Sequence, residues 1–190
     1  MSYDPEQKSD KSLFGVIVHS FFVIPFLIAV FSVLLFAAVR ILTAEKQTVY
    51  DLLNDVKNGG RDKRWQAAFE LSKTLANPAL IPKDAKFERE LIKAFEESQH
   101  DNSLVRQYLA LAMGRAGSEE FVDPLIDAVK NEKEENLYSE IYALGLLRAP
   151  RSVGVISNYL DHPDSRIRLG SVIALGNIGD PATINLLKKD

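Results

Sequence analysis

Residues 164–190 read DSRIRLGSVIALGNIGDPATINLLKKD, and this stretch decides the fold. Ile167, Ser171, Ala174, Leu175 and Ile178 recur at helical spacing, so the segment predicts a helix with one small or apolar face. Gly176 sits inside that helix, where a glycine costs about 1 kcal/mol relative to alanine. The cost is offset if the missing side chain lets a second helix approach closely. Asp180-Pro181 then marks a new start, an N-cap followed by proline in the first turn. The chain must stop and reverse within a few residues.

The same pattern recurs upstream. RLGSVIALGNIGDP at 168–181 finds LYSEIYALGLLRAP at 137–150, which finds RQYLALAMGRAGSE at 106–119. Three columns hold register at intervals of 31 residues: Ala112, Ala143 and Ala174; Met113, Leu144 and Leu175; Gly114, Gly145 and Gly176. Two more follow in the second half of each unit: Val122, Val153 and Ile184, then Leu125, Ile156 and Leu187. Each unit reads as two helices, the second shorter, as in EEFVDPLIDAVKN. One such hairpin cannot bury its own apolar face, and stacked hairpins bury it against each other. The glycines and alanines are expected where the stacked helices cross.

These motifs resemble a HEAT-type repeat of the short bacterial class that is also found in phycobilisome lyases. The resemblance rests on Asp164, Ile167 and Arg168 at the start, Ala174, Leu175 and Gly176 in the core, and Gly179, Asp180 and Pro181 at the turn. Asn102, Val105, Arg106, Ala112, Gly114 and Gly117 repeat most of it. It implies an all-α fold, a right-handed α-solenoid of helical hairpins. It also implies that the arginine at Arg106 and Arg168 pairs with an aspartate in the neighbouring loop. Leu137 occupies that position in the middle unit, so such a ladder would be interrupted there. An earlier, degenerate unit fits as well: Arg64 aligns with Arg106, PALIPKDA forms an inserted surface loop, and KFERELIKAFEES is the second helix. The units are expected at 61–98, 101–131, 132–162 and 163–190.

The other end of the chain has a different composition. Residues 13–39 carry no formal charge. As a helix they would measure ~40 Å against a ~30 Å hydrocarbon core, enough for a single transmembrane helix with some tilt. Pro25 marks a kink near its middle. A cleaved signal peptide is disfavoured because the run exceeds an ordinary apolar core segment, the polar stretch 1–12 mixes acids with its lysines, and no small-x-small site follows. Lys8 and Lys11 precede the span, and Arg40, Lys46 and Lys57 follow it. The positive-inside rule then puts the repeats in the cytoplasm, beneath a cell (inner) membrane, with the N-terminus outside. Residues 40–60 contain Val49, Leu52, Leu53 and Val56 at helical spacing, an amphipathic helix ended by Gly59-Gly60. Its acids suit a cap on the first repeat better than a helix lying on the membrane surface.

The formal net charge is −3, without a basic stripe, which argues against a nucleic-acid partner. The chain contains no cysteine. His100 and His162 fall in equivalent loops two units apart, too far to share a metal, and read as solvated. His19 lies within the span. Asp123 and Asp127 share a helix face beside Glu119 and Glu120 without a visible third catalytic group. No P-loop, dinucleotide fingerprint or hydrolase triad occurs, so no enzyme activity and no cofactor are expected. The expected function is protein binding: an adaptor or accessory subunit of a membrane complex, using the second helix of each repeat. Helical phase selects Glu120, Asp123, Asp127, Arg151, Asn158 and Lys188 as candidate interface residues. Two alternatives stay open, a lyase-like chromophore- or cofactor-handling enzyme and a self-associating scaffold.

Overall fold

The computed structural model describes residues 15, 17, 19–42, 47–131, 134–181 and 183. They form helices joined by turns and short loops, with no strand among them. The chain divides into two compact units, Met1–Lys46 and Gln47–Asp190.

The first unit holds helix α1, Ile24–Leu42, preceded by a π-helical turn at His19–Val23. Ser20–Ile41 is long and apolar enough to cross a membrane, with a mean hydropathy of 2.9 and none of it buried by protein. Phe21, Phe26, Phe31 and Phe36 all stand exposed. Pro25 was expected to kink the middle of the run. It lies instead second in the regular α-helix, directly after the π turn. Its missing N–H therefore falls where the hydrogen-bonding pattern already changes register.

The second unit begins with α2, Val49–Asn58. Thr48 and Asp51 form a capping box: Thr48 N–H donates to the Asp51 carboxylate at 2.9 Å, and Asp51 N–H donates to the Thr48 hydroxyl at 3.2 Å. Val49, Leu52, Leu53 and Val56 are buried, and they face α3, Arg61–Thr74, and α4, Ala85–Glu97. The chain continues through α5 (Ser103–Ala116), α6 (Val122–Asn131), α7 (Glu134–Leu146), α8 (Val153–Ser157) and α9 (Ser165–Ile178). The inserted stretch between α3 and α4 contains a short 3-10 turn, Pro78–Leu80, whose residues are exposed.

The longer helices α3, α5, α7 and α9 stack side by side in chain order. Each shorter helix packs on the longer helix that follows it: α4 on α5, α6 on α7, α8 on α9. A continuous core runs through the stack, from Leu71 and Leu91 through Leu109, Leu125 and Ile141 to Ile156 and Leu175. Trp65 and Tyr108 are partly buried against it.

The small residues set the spacing of the stack. A Cβ on Gly114 would lie 2.8 Å from Cα of Ala143, and one on Gly145 would lie 2.6 Å from Cα of Ala174. No side chain fits there, so the glycine of one unit receives the alanine of the next. Gly176 departs from the expectation. It belongs to the same column, yet nothing lies within 4 Å of the position a Cβ would take. Its counterparts are closed by a following long helix, and α9 has no such neighbour among the described residues.

Helix ends follow the repeat with one exception. Gly117 and Gly179 terminate α5 and α9 in the left-handed conformation, at φ 75° and 69°. The corresponding residue after α7 is Arg148, also left-handed at φ 50°. An L-residue with a side chain is strained there by about 1–2 kcal/mol.

Candidate protein interface

The candidate residues lie on the short helices and the turns that lead into them. Glu119 and Glu120 belong to a 3-10 turn, Glu119–Phe121, which Ser118 caps by accepting from Glu120 N–H at 3.3 Å. This turn runs directly into α6, whose Val122, Leu125, Ile126 and Val129 face the core. That phase leaves Asp123 and Asp127 outside, and both are exposed. Arg151 lies in the equivalent turn, Pro150–Ser152, and Asn158 directly follows α8; both are exposed. Lys188 lies outside the described residues.

The stack brings part of this set together. Arg151 sits 3.0 Å from the Asp123 carboxylate and 3.6 Å from that of Glu119, joining two successive units. Asp127 pairs within its own helix with Lys130 at 3.8 Å. Ion pairs this exposed contribute at most ~1 kcal/mol to stability. Their effect is to shape the potential: Glu119, Glu120, Asp123 and Asp127 against Arg151, Lys130 and the neighbouring Arg148 leave a net local charge of −1. Beside the Arg151 bridge, Gly117, Val122, Leu147, Arg148 and Pro150 line a cleft of about 410 Å³.

Among the described residues one rung of the predicted arginine–aspartate ladder is seen. Arg64 reaches Asp101 in the following loop at 2.6 Å. Arg106 takes a different partner, the carboxylate of Glu140 on α7, at 3.2 Å. Both side chains are out of solvent, at 6% and 0% exposure. The Arg106 guanidinium also donates to the Phe95 carbonyl at 2.8 Å and lies 4.1 Å from the centre of the Phe95 ring. Arg168 turns onto its own loop, donating to the carbonyls of His162 and Pro163 at 2.7 and 2.9 Å. The Tyr159 hydroxyl donates to the Val129 carbonyl at 2.6 Å. Burial, together with the Glu140 charge, holds this phenol above its ordinary pKa.

Sequence reasoning missed Glu140. It stands in the column of Leu109 and Ser171, and a carboxylate on that inward phase was the available signal. Of the two loop histidines, one differs from expectation. His100 is exposed. His162 is not simply solvated: its Nδ1 accepts from Asp164 N–H at 3.1 Å, and its ring lies against Tyr159 with centres 6.0 Å apart. The side chain of His19 lies outside the described residues. Among the described residues no group of three or more His, Cys, Asp or Glu could hold a metal ion.

A family model of HEAT repeats matches residues 138–189, which covers most of α7 and all of α8 and α9. No curated protein matches the chain. The matched segment and the all-helical stack support a HEAT-repeat protein, and such repeats generally mediate protein–protein interaction.

Proposed function

We propose that the chain is a membrane-anchored binding module, an adaptor or accessory subunit of a membrane complex. α1 is its single span, and the hairpins form a right-handed solenoid on the cytoplasmic side. The observation that carries the binding role is the exposed acidic surface of Glu119, Glu120, Asp123 and Asp127, held on α6 and its leading turn by a continuous core. The Arg151 bridge fixes this surface across two units without neutralising it. A basic protein surface is its complement. The reading assigns the chain no catalytic step.

The anchor is supported by an apolar helix whose large side chains face away from any protein core. Orientation is supported by Arg40 and the cations that follow it.

The test is retention of partners from native membranes in mild detergent. Reversing two charges, Asp123→Lys with Asp127→Lys, should remove the bound protein while circular dichroism stays unchanged. Retention equal to wild type would eliminate this surface. Paired reporter fusions at Asp190, one active only in the cytoplasm and one only outside, test the orientation.

A further inference from the structure

The turn that closes α7 breaks a rule that its neighbours keep. α5 and α9 each end in a left-handed glycine, Gly117 and Gly179. α7 carries Arg148 at the same position, at φ 50°, where any side chain adds strain. The fold does not need the side chain. The Arg148 N–H donates to the Gly145 carbonyl at 3.1 Å, a bond that glycine would make as well. The guanidinium is exposed and forms no hydrogen bond or ion pair with the described residues.

What Arg148 does line is the cleft of about 410 Å³ between two successive turns, a volume within the range of small-ligand pockets. Gly117, Ser118 and Glu119 come from the first turn, and residues 147–151 from the second. Val122, Leu147 and Pro150 make part of the wall apolar. Two arginines reach the cleft with different commitments. Arg151 is held by Asp123 at 3.0 Å and by Glu119 at 3.6 Å. Arg148 is the cation left over for a ligand.

We propose that this cleft takes a segment of a partner protein in which an aliphatic side chain stands next to a single carboxylate, as in Leu-Glu. The aliphatic group covers Val122, Leu147 and Pro150. The carboxylate pairs with Arg148, whose planar fork of N–H donors suits two oxygens. Glu119, Glu120 and Asp123 limit how much negative charge can enter. They repel a run of acids or a phosphate ester, whereas one carboxylate is matched by one free cation. The strained backbone is thus kept where it holds a guanidinium on the cleft wall. This site depends on neither the membrane anchor nor the acidic face of α6, and stands or falls separately from them.

The described residues of a second copy have no such segment to offer. Where an aliphatic side chain is next to an acid in them, it is buried in the core or packed on it, as at Leu52, Leu71, Leu91 and Ile126.

The test titrates the full chain, in micelles of an uncharged detergent, and follows the amide NMR signals of Gly117 and Ala149. The probe is the peptide acetyl-Gly-Leu-Glu-Gly-amide. Both signals should shift saturably. Glutamine in place of the peptide's glutamate, or alanine in place of its leucine, should weaken binding about threefold or more. Arg148→Gly should weaken it about threefold to fivefold, the most that an exposed charge pair is worth, while raising the melting temperature, so the loss is not one of folding. Arg148→Lys keeps the charge and should restore part of the affinity. Arg89→Gln, an exposed cation on α4, should change nothing. Asp123→Lys with Asp127→Lys should bind the peptide at least as well as wild type, which separates this cleft from the acidic face. No saturable shift, or equal binding by Arg148→Gly, would overturn the proposal. So would inorganic phosphate moving the same signals as strongly as the peptide, because the cleft would then be a general anion site. Signals that move as the chain itself is concentrated, without peptide, would overturn it too, because a second copy would then fill the cleft.

Discussion

The middle repeat and its two neighbours share a register and differ in chemistry. α5, α7 and α9 keep alanine and glycine in the same columns, and the crossings built from them are nearly superimposable in logic. Yet α7 alone buries a carboxylate, Glu140, where its neighbours carry Leu109 and Ser171. It alone ends in a left-handed arginine, Arg148, where they end in Gly117 and Gly179. The difference teaches which features the stack requires. Backbone approach admits no substitute, because a Cβ collides with a neighbouring Cα. Polar and conformational features vary because each is tolerated locally: Glu140 meets Arg106, and the left-handed Arg148 costs only about 1–2 kcal/mol of strain.

The comparison can be broken most forcefully at Glu140. Glu140→Ala should destabilise the second unit by about 3–5 kcal/mol in urea titrations, because it removes the buried carboxylate that Arg106 meets at 3.2 Å. Replacing both partners, Arg106→Met with Glu140→Leu, should recover most of the loss and make the middle unit resemble its neighbours. A double variant as unstable as Glu140→Ala would show that the pair does more than neutralise itself.

The crossings give the next largest contrast. Gly145→Ala should cost about 1–3 kcal/mol through the clash with Ala174. Gly176→Ala, one unit on, should be neutral or stabilise by up to about 1 kcal/mol, since open space leaves only the gain in helix propensity. Equal effects at both positions in thermal or urea denaturation would contradict the difference in packing. At the helix ends, Arg148→Gly should stabilise by about 1 kcal/mol, because glycine adopts the left-handed conformation without strain. Gly117→Arg should do the reverse by a similar amount.

The smallest effect is one of pH. Asp164 caps α9, and hydrogen bonds from Arg166 hold its carboxyl at about 2. Its unfolded value is near 3.9. The folded pKa is depressed, so its contribution is complete above about pH 4 and is lost as pH falls toward 2. Comparing wild type with Asp164→Asn across that window should show the stability difference shrinking on acidification. A difference independent of pH would mean that the charge of Asp164 plays no part.

The stack was legible in the sequence because its determinants are local and repeat: Ala112, Ala143 and Ala174 beside their glycines can be aligned without knowing any contact. The exposed candidates Glu120, Asp123 and Asp127 were legible for the same reason, through helical phase. The bridge from Asp123 to Arg151 was not, since it depends on how one unit sits on the next. Nor was the solitude of Gly176. A column of three glycines looks uniform until the partner of each is known. Glu140 and Arg148 were visible as departures from their columns, but only the folded chain shows that one is buried and the other left-handed.

The two kinds of ion pair have separate fates in salt. Arg106 and Glu140 are sealed from solvent, so mobile ions cannot reach them, whereas Arg151, Glu119, Asp123 and Asp127 stand in it. At about 1 M ionic strength the screening length shrinks to about 3 Å. A concentrated salt wash should therefore strip an electrostatically held partner from the acidic surface while the helical stack beneath stays folded, which makes the module one that can be emptied and refilled without being melted.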